Sequence, residues 1–228
     1  MDIELHFTER GNGPALILLH GNGEDSTYFE HQVGLLSERF RVIALDTRGH
    51  GKSPRGTAPF SLSQFADDLE CFLDAREIAA AHLFGFSDGG NIALLFALAH
   101  PQRVLSLVLN GANLFPEGLQ EAVRRADAFT YEVALEKGDK HQAELMLLMM
   151  NEPHIDPAQL AILDMPTLVV VGTDDMIEES HTRLIAESIP HAQLAFVTGT
   201  HFVAAENPQA FNEVIGAFYS DLGLLVRP

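Results

Sequence analysis

Short, wholly apolar runs alternate with longer amphipathic stretches along most of the chain. Ala15-Leu16-Ile17-Leu18-Leu19 has none of the in–out alternation of a half-exposed strand, so it reads as a strand covered on both faces. Runs of this kind predict strands over Leu5–Thr8, Ala15–His20, Val42–Asp46, His82–Phe86, Leu105–Asn110, Thr167–Gly172 and Gln193–Val197. Between them, Leu62, Phe65, Leu69, Phe72 and Leu73 form one apolar stripe at helical spacing, behind the capping-box pattern Ser61-Leu62-Ser63-Gln64. A second apolar helix is expected over Asn91–Ala99. Asn207 as N-cap and Pro208 at the first helical position open a last helix carrying Phe211, Val214, Ile215 and Phe218, expected to close the far end of the sheet. The alternation specifies an α/β fold, a mostly parallel sheet of about seven strands with helices on both faces.

One segment interrupts it. From Leu114 to Leu163 only helical or irregular patterns occur, which predicts a small helical lid (114–163) inserted between two parts of one core (1–113 and 164–228). The lid carries Leu145-Met146-Leu147-Leu148-Met149-Met150, and its flexible Met146, Met149 and Met150 are candidates to line a substrate pocket.

At 228 residues the chain has the size of one domain with an insertion. Its 14 basic and 32 acidic side chains leave −18, a field that repels phosphate backbones and anionic lipid, so neither nucleic acid nor membrane is an expected partner. Met1-Asp2-Ile3-Glu4 does not open a secretory leader and no apolar run reaches membrane-spanning length, so the expected location is the cytoplasm. Cys71, the single cysteine, excludes an intrachain disulfide and is expected to be a small buried hydrophobe in a helix. No histidine lies in a zinc-binding pattern; no metal and no cofactor is implied.

The chemistry concentrates at Gly85-Phe86-Ser87-Asp88-Gly89, where a predicted strand meets a predicted helix. A strand-to-helix turn this tight needs small residues two before and two after the serine, which is then held strained with its hydroxyl exposed. A serine hydroxyl needs a base, and the base needs an orienting group. His201, in Gly199-Thr200-His201 after the last predicted strand, supplies the base. Gly172-Thr173-Asp174-Asp175 ends the preceding strand and offers two adjacent carboxylates for the third role. Upstream, His20-Gly21-Asn22-Gly23 follows the first long strand; the backbone N–H groups of Asn22 and Asp88 are the candidate oxyanion donors.

Together with Asp46-Thr47-Arg48-Gly49-His50-Gly51-Lys52-Ser53, read as a structural turn, these segments resemble the α/β-hydrolase superfamily nearly end to end. The resemblance implies the α/β-hydrolase fold, selects Asp175 over Asp174 as the acid, and implies a cofactor-independent serine hydrolase acting on a small-molecule ester. Relative to the family pattern the chain starts near the usual second strand and its lid is short. The elbow together with Asn110-Gly111-Ala112-Asn113 resembles the branch containing valacyclovir hydrolase, where the aspartate beside the nucleophile binds an α-ammonium; carried to Asp88, this implies α-aminoacyl esters. Two other readings stay open. The same residues could serve C–C bond or enol-lactone hydrolysis, with Arg124, Arg125 or Lys137 of the lid facing a substrate carboxylate, or the fold could bind a small ligand without turnover.

Overall fold

The computed structural model describes residues 2–225, so position 1 and positions 226–228 of the expected division lie outside the described residues. In chain order, β1 (Phe7–Arg10), β2 (Ala15–Leu19) and α1 (Glu30–Leu36) precede β3 (Arg41–Leu45), α2 (Leu62–Ala75), β4 (Ala81–Phe86), α3 (Asp88–Ala99) and β5 (Val104–Asn110). The long helices α4 (Glu121–Lys137) and α5 (Lys140–Asn151) follow, then β6 (Thr167–Asp174), α6 (Glu179–Ser188), β7 (Ala192–Thr200), the single-turn α7 (Val203–Glu206) and α8 (Pro208–Asp221). The strands form one seven-stranded sheet in the order β1-β3-β2-β4-β5-β6-β7. Among the described residues, only β1 of this sheet runs antiparallel to its neighbour; every other strand pairing within the sheet is parallel.

The wholly apolar strands are explained by two core layers. Successive residues of one strand point to opposite faces. Ile17, Leu19, Ile43 and Leu83 therefore pack with Phe65 and Leu69 of α2 and Ile92 and Phe96 of α3. Leu16, Leu18, Val42 and Phe84 pack on the other side with Leu36, Phe211, Ile215 and Phe218. Burying a Leu, Ile or Phe contributes about 1.5–3 kcal/mol, so these two faces dominate the fold's stability.

Several boundaries differ from the sequence expectation. The first strand starts at Phe7 rather than Leu5, on an exposed edge where no buried face fixes the register. The elbow helix starts at Asp88 rather than Asn91. Ser61 caps α2 by accepting from the Gln64 N–H at 3.1 Å, but the Gln64 side chain turns to Asp68 Oδ1 instead of completing the box. Asn207 makes no side-chain cap on α8; its amide donates to the Thr198 carbonyl at 3.0 Å. Helix α8 packs against β7 at the far end of the sheet and also reaches α1 and Phe40, against which Tyr219 packs edge-on. Cys71 is half-buried on α2, not buried.

Residues 114–163 hold α4, α5 and two 3₁₀ turns. Arg55 donates to both carboxylate oxygens of Glu144 on α5, at 3.0 and 2.8 Å. Glu152 Oε2 accepts from the Leu62 N–H at 2.7 Å, and Ile155 N–H donates to the Leu114 carbonyl. On α4 only Ala134 is buried, while Phe129 and Leu135 stand exposed.

Candidate active site

The turn from β4 into α3 is made by glycine where anything larger would collide. A Cβ on Gly89 would sit 2.6 Å from the His20 carbonyl oxygen and closer still to that of Leu19, and one on Gly85 would meet the backbone of Gly89 and Gly90. Ser87, between them, has φ 52° and ψ −121°, a backbone conformation costly for a side-chain-bearing residue. Its N–H donates to the Asn110 carbonyl at 2.8 Å, which pins the strained turn to the neighbouring strand.

His201 follows β7 and lies 114 residues away in sequence, yet its Nε2 is 3.0 Å from Ser87 Oγ. Its Nδ1 is 2.8 Å from Asp175 Oδ1. An ionised carboxylate only accepts, so Nδ1 carries the proton and Nε2 presents a lone pair to the serine hydroxyl. Asp175 Oδ1 also accepts from the Ile177 N–H at 2.9 Å, which orients the carboxylate. Of the two adjacent carboxylates, Asp174 is exposed and accepts from Thr173 Oγ1, while Asp175 is buried against the histidine. Gly111, with φ +63°, makes room for the ring: a Cβ there would lie 2.7 Å from His201 Cε1. Phe86 packs against the His201 ring at 4.9 Å between centroids and stacks on Tyr28 at 4.2 Å.

The loop after β2 faces the elbow. His20 Nε2 accepts from the Thr47 N–H at 3.0 Å, leaving Nδ1–H to donate to the Gly21 carbonyl at 2.7 Å; burial holds this imidazole neutral. Glu24 accepts from the Gly21 N–H and is pushed up to about 7 by burial, against that bond. Asn22, at the centre of the loop, does more than offer its backbone. Its Nδ2 donates to Asp88 Oδ2 at 3.0 Å and to the Leu145 carbonyl of α5 at 3.2 Å, joining loop, elbow and α5 through one amide. The Asp88 N–H opens α3, where helix N–H groups have no intrahelical partner.

Asp88 is buried beside the serine. Desolvation raises its carboxyl to about 6, opposed by the amides of Asn22 and Asn91. Asn91 in turn donates to Asn113 Oδ1 and accepts from the Asn113 N–H, a buried network that the sequence reading missed. Ser87 and Asp88 open on a small cavity completed by Asn113, Leu119, Met149, Glu152, Met176 and Ile177. Met149 is therefore at the site; Met146 is buried elsewhere on α5, and neither it nor Met150 lines this cavity. Met176 and Glu152 take their place, two residues that no local pattern marks. Asp46 accepts from Ser26, Lys52 and His6, and Arg48 is buried against Asp68 and Asp2, so this turn is knitted locally. Among the described residues no cluster of three or more metal-ligating side chains occurs and no helix is long and apolar enough to cross a membrane.

A family model described as the alpha/beta hydrolase fold matches residues 14–149. The chain belongs to the α/β-hydrolase family. A relative from Azorhizobium caulinodans, provisionally named carbamate hydrolase RutD, is 29% identical over 256 aligned positions covering 97% of each chain. A 2-hydroxy-6-oxononadienedioate/2-hydroxy-6-oxononatrienedioate hydrolase from Cupriavidus pinatubonensis is 30% identical, covering 95% of this chain and 91% of its own. Among solved structures, a hydrolase from Pseudomonas aeruginosa PA01 superposes with a TM-score of 0.78 at 28% identity, over 95% of this chain and 94% of that one. These α/β-hydrolase relatives carry hydrolase names and match the chain nearly end to end, and the chain is an enzyme of that kind.

Proposed function

We propose that the chain is a serine hydrolase cleaving a small carboxylic ester through an acyl-enzyme. The observation that carries this is the continuous hydrogen-bonded line from Asp175 through His201 to a Ser87 held at positive φ. In this reading Ser87 Oγ attacks the acyl carbon as His201 Nε2 takes its proton, and Asp175 orients the ring and stabilises the imidazolium. His201 then protonates the leaving alcohol, and a water activated by the same nitrogen releases the acid. The N–H groups of Asn22 and Asp88 receive the oxyanion, a contribution of about 3–4 kcal/mol per donor. Residues 114–163 serve as a lid over the core parts 1–113 and 164–228, with Met149 against the substrate.

The cavity chemistry favours one substrate class. Asp88 and Glu152 line it and no cationic side chain does, among the described residues. Arg124 is engaged with the Leu119 carbonyl, Arg125 pairs with Glu121, and Lys137 lies exposed at the end of α4. A dianionic substrate such as the one in the Cupriavidus relative's name would meet two carboxylates unassisted, whereas an ester carrying an ammonium group would meet a charge partner in Asp88.

The test compares an α-aminoacyl aryl ester with its N-acetyl twin. Wild type is expected to hydrolyse the free-amine ester faster, Asp88→Asn to lose the preference, and Ser87→Ala to lose roughly 10⁴-fold or more in kcat. Equal rates on both esters would reduce Asp88 to a helix-start carboxylate. Absence of Ser87-dependent turnover, together with absent fluorophosphonate labelling, would favour the ligand-binding reading.

A further inference from the structure

The cavity at Ser87 leaves about 10 Å³, room for one water molecule. Beside it, between α5 and the loop after β3, lies an open cleft of about 340 Å³ whose walls include Arg55, Phe60, Glu144, Leu147 and Leu148. One side chain lines both spaces, and it is Glu152. Its carboxylate is not free to swing: Oε2 accepts from the Leu62 N–H at 2.7 Å, the first N–H of α2, which has no partner within its own helix. The cleft has an apolar side, with Leu147 nearly half exposed on it.

We infer that Glu152 is a specificity-determining wall, which closes the Ser87 cavity off from the α5 cleft and so limits one side of the substrate to a short group. With the wall shortened, the two spaces join, and an apolar chain extends from the acyl centre along Leu147, Leu148 and Phe60. The inference rests on the ester-hydrolase reading and adds to it the residue that sets the length limit.

The experiment measures kcat/KM for p-nitrophenyl acetate, butyrate, hexanoate and octanoate, and for acetate esters of alcohols of increasing length. The proteins are wild type, Glu152→Ala, Glu152→Asp and Glu152→Gln, each checked for folding by circular dichroism. Shortening the wall is expected to raise the ratio of long-chain to short-chain kcat/KM, in one of the two series, by about tenfold or more, the scale that a methylene or two commands in an apolar pocket. Glu152→Gln keeps both the length and an acceptor for Leu62, and its ratio is expected to stay at the wild-type value. Should Glu152→Ala fail to fold, Glu152→Asp carries the same test. A ratio unmoved in both series, or moved as far by Glu152→Gln as by the shortened variants, would overturn the wall while leaving a Ser87-dependent esterase standing. A wild type with no Ser87-dependent ester turnover would overturn the ester reading and the wall with it.

Discussion

Asp88 holds its carboxyl where ionisation is costly, and the sign of that cost can be worked out. Burial raises the group from 3.8 to about 6, with the Asn22 and Asn91 amides opposing. The folded state therefore keeps a proton that the unfolded chain has already released. The group's contribution to stability is complete below about pH 4 and is lost as pH rises through about 6, an effect of about 2–3 kcal/mol. Asp88→Asn has no proton to keep, so its denaturant-unfolding free energy, measured at pH 4 and pH 7, is expected to fall less over that interval than wild type's. The same residue illustrates what a sequence can reveal of a site. Gly85 and Gly89 were legible because a side chain at either would collide with backbone, and together they frame Ser87. The distant surroundings of Asp88 were not, since Asn22, which donates to it, lies 66 residues away and Glu152, which shares its cavity, follows the end of α5. Which face of α5 turns inward depends on docking, so three methionines looked equivalent and only Met149 reached the cavity.

At the scale of the elements, the buried strands were readable because parallel strands covered on both faces must be apolar throughout, and β2 to β6 obey that rule along most of their length. Exposed β1 and the outer strand β7, which runs on to Thr200, escaped accurate bounds because no two-sided burial constrains them. Helix α5 buries Ala143, Leu145, Met146 and Leu148, and on its outer side the paired bonds of Arg55 to Glu144 tie it to the loop after β3. Both side chains are about a third exposed, so the pair adds little to global stability. Glu144→Ala is accordingly expected to move the melting temperature by no more than a degree or two, yet to speed amide exchange across α5, which hydrogen-exchange mass spectrometry would resolve. Equal exchange in α5 of variant and wild type would show that the tether is dispensable.

The whole molecule carries −18, and most of that charge is on a surface with few cations to offset it. Self-repulsion of this size opposes the compact state and is screened by salt. Raising sodium chloride from about 10 mM to about 200 mM, across which the screening length shortens severalfold, is expected to raise the melting temperature; a fall would mean that attractive pairs such as buried Arg48 with Asp68 outweigh the repulsion.

The stack of Tyr28 on Phe86, one ring removed from His201, also has an optical consequence. The chain has no tryptophan and three tyrosines. Tyr28 stacks on the ring that packs against His201, Tyr131 rides on α4, and Tyr219 is sealed in the core. The candidate site, helix α4 and the interior each hold one native fluorophore, so three single Tyr→Phe replacements would divide the ultraviolet emission into a signal for occupancy, one for the surroundings of α4 and one for unfolding, with no dye attached.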